Sequence, residues 1–60
     1  MTINEYLHWA KQYPNKLPTC MQYADLLYEY SLRMCLDYDE ARSIVGIWTN
    51  KMWAEWLTNN

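Results

Sequence analysis

Pro14 and Pro18 stand four residues apart in YPNKLPTC, and no other proline interrupts the 60 residues. Proline fixes φ near −65°, donates no backbone hydrogen bond and pushes the residue before it towards extended backbone, so it ends or kinks a helix. With both breakers confined to one short stretch, a helix should stop before Pro14. A turn of Asn15, Lys16 and Leu17 should follow, and the next helix should open just past Pro18. A softer interruption comes in CLDYDEA, where Asp37 breaks an apolar run. No Ser/Gly-rich, repetitive or low-complexity stretch supplies a linker. The expected fold is all-α: one small three-helix domain over 1–60, with helices at about 3–13, 20–35 and 38–57.

Each expected helix carries its own start signal. Thr2 and Glu5 have capping-box spacing, as do Thr19 and Gln22. Asp37 can cap the third helix, and Asp39 and Glu40 fall in its first turn, where the helix dipole favours negative charge. Ile3, Tyr6, Leu7, Ala10 and Tyr13 recur at helical spacing and form the apolar face of helix one, with Trp9 at its edge and His8 on the polar side. In helix two the polar residues shrink to one row, Gln22, Asp25, Glu29 and Arg33, within which Glu29 and Arg33 can pair. A helix so apolar elsewhere needs covering on most of its circumference.

The third helix poses the question of the indoles. Trp48, Trp53 and Trp56 crowd its C-terminal half, in a chain with four Trp, six Tyr and no Phe. If residues 38–57 form one uninterrupted helix, Ala41, Ile44, Val45, Trp48, Met52 and Trp56 share a face and form the core side. Trp53 then falls with Leu57 on a second face that also carries Asn50 and Gly46. That face is expected to dock a partner, because Trp combines large apolar area with a polar handle and is the residue type most enriched among binding hot spots. Gly46 costs about 1 kcal/mol relative to Ala inside a helix, which points either to a bend or to a close neighbour, the latter preferred.

Little else in the sequence points to chemistry. One His, with neither Cys-x-x-Cys nor His-x-x-x-His, does not assemble a metal site, and no Gly-rich loop cradles phosphate. Ser31, Ser43 and the two cysteines have only His8 as an imidazole base. No catalytic residue, cofactor or metal is therefore expected, and the chain is read as a non-enzyme. Cys20 and Cys35 lie fifteen positions apart on one helix, roughly 22 Å at 1.5 Å per residue, too far to bridge within the chain. They are expected to be buried thiols on a small-residue stripe with Ala24 and Ser31.

Charge and hydropathy narrow the partners. Five basic residues against seven acidic give net charge −2, and the basic ones are scattered, so the clustered positive footprint of a nucleic-acid binder is missing. No basic and apolar leader, and no apolar run long enough to span a bilayer, is present, so a cytoplasmic location without membrane contact is expected. The expected function is a small protein-protein interaction module of inhibitor or adaptor type that covers a surface of a larger protein. Chains of this size often act as phage or mobile-element accessory or anti-defence factors. Homodimerisation through helix two is part of this reading, with either the small-residue stripe of Cys20, Ala24, Ser31 and Cys35 or the flanking Tyr28 and Leu32 meeting its copy across a two-fold interface. The alternative is a helix-turn-helix DNA-binding regulator built from helices two and three, which would set Asp37, Asp39 and Glu40 where phosphates lie.

Overall fold

The computed structural model describes residues 2–59 and contains four helices, α1 Ile3–Gln12, α2 Cys20–Met34, α3 Tyr38–Val45 and α4 Asn50–Asn59. Among the described residues there is no strand. The cap signals act as their chemistry requires. Thr2 with Glu5 and Thr19 with Gln22 form complete capping boxes, and the Asp37 carboxylate accepts from the Glu40 N–H at 2.8 Å. The proline-bracketed turn separates α1 from α2.

The expected third helix is two helices. α3 ends at Val45, and α4 starts at Asn50 after a connection through Gly46 and Trp48. A methyl group on Gly46 would sit 2.8 Å from the Arg42 carbonyl oxygen of its own helix and meet no other element, so the chain breaks at this glycine and the close-packed neighbour expected there is not what it accommodates. Thr49 then holds the N-cap position of α4, its carbonyl accepting from the Trp53 N–H at 3.0 Å. The N–H groups that begin a helix have no partner within it. Here the proline turn supplies partners: Asn50 N–H donates to the Lys16 carbonyl at 2.8 Å, and Lys51 N–H to the Pro14 carbonyl at 3.0 Å. The break is therefore stitched to the α1–α2 turn.

This break overturns the assignment of faces. Within α4 alone, Asn50, Trp53, Ala54 and Leu57 follow i, i+3, i+4, i+7 spacing and form one stripe, three of whose members are buried. The core draws on every helix: Tyr6 and Ala10 from α1, Leu26, Leu27 and Tyr30 from α2, Ala41 and Val45 from α3, Trp53 and Leu57 from α4. α1 packs on α4, and α2 on α3. Ile44 and Met52, expected in the core, are exposed, while Trp48 and Trp56 are half-buried. Ile3 and Tyr13, at the ends of the α1 stripe, are also exposed.

Trp53, not Trp48 or Trp56, is the central ring. Its centroid lies 5.0 Å from that of Trp48, 5.9 Å from Trp56 and 6.0 Å from Tyr30, each pair edge to face. Such pairs add about 0.5–1.5 kcal/mol each beyond area burial. The Trp53 indole N–H finds no acceptor among the described residues, a desolvation cost that the surrounding rings must offset.

Candidate interaction surface

α2 is apolar on two opposite sides, and only one of them is covered. Leu26 and Tyr30 point into the core. Half a turn away, Met21, Ala24, Tyr28, Leu32 and Cys35 follow i, i+3, i+7, i+11, i+14 spacing and are all exposed, with Met21 at 84%, Tyr28 at 55% and Leu32 at 56%. The stripe spans the helix from its first turn to its C-cap, about 21 Å.

Its edges are chemically distinct. On one side lie Asp25 and Glu29, and Arg33 donates to the Glu29 carboxylate at 3.3 Å while its guanidinium stands 5.1 Å above the Trp56 ring. Cys20 and Ser31 form the other edge. The Ser31 hydroxyl donates to the Tyr28 carbonyl at 2.8 Å, so its hydrogen is already used by the local backbone. At the C-terminal end Cys35 adopts the left-handed conformation, φ 56°, and the Leu36 N–H reaches back to the Ser31 carbonyl at 3.0 Å. This Schellman-type closure ends the helix without glycine.

The residues expected to bind a partner separate into two groups. Trp53 and Asn50 are fully buried and Leu57 is 9% exposed, so the docking face placed on them is a core face instead. The cause is the helix break, which turns α4 relative to α3. Gly46 is exposed in the connection between them. Tyr28 and Leu32 lie together on the open α2 stripe. Met21, the most exposed member of that stripe, was missed, although its position seven residues before Tyr28 carries the signal. The cysteines are corrected as well: both thiols are exposed, Cys20 at the first residue of α2 and Cys35 at its C-cap.

Elsewhere the surface carries hollows. A groove of about 540 Å³ between α1 and α4 is floored by Leu7, Ala10 and Ala54 and rimmed by Lys11, Lys51 and Glu55. Smaller hollows of about 340 and 170 Å³ lie beside Leu17 and Tyr23 and beside Ile3 and Leu26. Among the described residues no group of three or more His, Cys, Asp or Glu is placed to hold a metal ion, and no helix is long and apolar enough to cross a membrane. His8 is exposed on α1. No family of known proteins matches the chain, and neither does any curated protein or solved structure.

Proposed function

We propose that the chain is a non-enzymatic protein-binding module of inhibitor or adaptor type whose working surface is the outer face of α2, and that it self-associates through this face. The observation behind the reading is the stripe of Met21, Ala24, Tyr28, Leu32 and Cys35, left open along a whole helix whose other side is already in the core. Exposed apolar area of this kind marks association sites, and Tyr and Met are enriched at the centres of interfaces. Ile44 and Ile47, 46% and 84% exposed at the end of α3 and just beyond it, offer a second apolar contact for the larger protein that the module covers. Nucleic acid is a poor fit, because Asp37, Asp39 and Glu40 are exposed at the start of α3. Sedimentation equilibrium of the intact chain across the micromolar range tests self-association. Reversible dimerisation is expected, and a strict monomer at every concentration contradicts it.

A further inference from the structure

We propose that the hollow between the start of α2 and the end of α3 holds the C-terminal residue of a partner protein, with the terminal carboxylate on Arg42 and the apolar side chain against Trp48 and Tyr23. The site rests on the reading of the chain as a protein-binding module. It adds a contact that uses no residue of the outer α2 stripe.

The hollow has a volume of about 340 Å³, with Leu17, Tyr23 and Trp48 among its walls. Among the described residues Arg42 is the one charged side chain that lines it, and no Asp or Glu does. Ligand sites are mostly apolar with a few placed polar groups. Here the walls select an apolar group and the guanidinium selects an anion. Arg42 is exposed and, unlike Arg33 with its Glu29 partner, has no ion pair or side-chain hydrogen bond among the described residues. Its flat fork can donate two N–H groups side by side to one carboxylate. The larger groove between α1 and α4 mixes Lys11 and Lys51 with Glu55, so its charge singles out no ligand.

Size argues for a chain terminus. The volume lies at the lower end of ligand pockets, which run from about 300 to 1,000 Å³, and has room for little more than one large residue. At a C-terminus the carboxylate and the apolar side chain share one Cα. An internal Asp or Glu would need a second residue to supply the apolar part.

The main wall is already in place. Tyr30 and Trp53 pack edge to face on Trp48, with centroids 5.6 and 5.0 Å away, so this half-buried ring is held by the core before a ligand arrives. Binding then has little ordering cost to overcome at that ring.

The test follows the Trp48 indole N–H resonance of the intact, isotope-labelled chain during titration with N-acetylphenylalanine, a minimal C-terminus, and with its amide. A ligand of about 15 non-hydrogen atoms at ordinary efficiency binds with a Kd of about a millimolar. The acid should give a saturable shift in that range, and the amide should bind about tenfold more weakly, since it lacks the charge that Arg42 pairs with. Arg42→Gln, a change at an exposed position, should bring the acid down to the affinity of the amide. Equal binding of acid and amide by the wild type, unchanged acid binding by Arg42→Gln, or saturable shifts at other tryptophans without one at Trp48 would overturn the site. N-acetyl-aspartyl-phenylalaninamide binding as tightly as the acid would overturn recognition of a terminus. Sedimentation reads the outer α2 face separately: a monomer that binds the acid keeps this site, and a self-associating chain that ignores the acid loses it.

Discussion

Tyr6 and Asn50, 44 positions apart, are joined inside the core by a hydrogen bond from the Tyr6 hydroxyl to Asn50 Oδ1 at 2.8 Å. Asn50 Nδ2 donates in turn to the Tyr13 carbonyl at 2.9 Å, at the C-terminal end of α1. One fully buried side chain therefore ties the first helix to the start of the last, in the same place where the proline turn receives the first N–H groups of α4. Buried polar groups are costly when unpaired, by about 1–3 kcal/mol each, so this link specifies how α1 and α4 meet. Tyr6→Phe should cost about 1–2 kcal/mol in urea unfolding by orphaning Asn50 Oδ1, and Asn50→Ala should cost more. The double variant should lose less than the sum of the two, and simple additivity would show that the bond contributes nothing of its own.

The same hydroxyl sets an alkaline limit. Burial pushes the Tyr6 pKa up from 10.0 to about 12, because the core holds the neutral phenol and disfavours its anion. The sign follows from linkage: a group whose folded value is raised stabilises fully below its unfolded value and loses that contribution as pH climbs through the folded one. Stability should thus be insensitive to Tyr6 below pH 10 and fall between 10 and about 12. Urea unfolding at stepped alkaline pH checks this. Tyr6→Phe should weaken the alkaline loss, and an identical loss in that variant would assign it to other groups.

Trp53 should be the least replaceable ring. Removing it to Ala empties the centre of the Tyr30, Trp48 and Trp56 cluster and should cost about 3–5 kcal/mol, close to the whole stability of a domain this small. Trp53→Phe should cost much less, since it keeps a ring and deletes the unpartnered indole N–H. Trp48→Ala and Trp56→Ala, at half-buried positions, should fall below Trp53→Ala. Thermal melts of the four variants rank them, and equal losses for all three alanines would contradict the central place of Trp53.

Cys35 offers a stabilising change. A side chain in the left-handed region costs about 1–2 kcal/mol that glycine does not incur, and glycine is the usual residue at such a helix end. Cys35→Gly should raise the melting temperature, whereas Cys35→Val should lower it through its β-branch. A drop on Cys35→Gly would mean that the thiol makes contacts worth more than the strain.

Three of the helix starts were legible because capping is a local code. Thr2 with Glu5, Thr19 with Gln22, and Asp37 each announce a boundary within four residues, and the structure uses all of them. The fourth start was missed because Gly46 and Thr49 signal a stop and a cap only when read together, and the bonds that stabilise the break come from Pro14 and Lys16, more than thirty positions away. One missed break then moved every later residue to a different face. That is how Trp53, Leu57 and Asn50 came to be expected on a docking surface that is core. Tyr28 and Leu32 lie exposed on one face because α2 is continuous from Cys20 to Met34, so its register holds from end to end.

Whether the outer face of α2 is a working surface is tested most directly by Leu32→Glu, which puts a carboxylate at a position 56% exposed on the stripe and away from the core. The measurement pairs sedimentation equilibrium with thermal melting, on wild type and variant at matched concentrations. The expected result is a wild type that self-associates, a variant that stays monomeric, and equal melting temperatures in the dilute limit where both are monomers. A variant that associates as strongly as the wild type, or one that loses its fold in dilute solution, would contradict the placement of recognition on this helix.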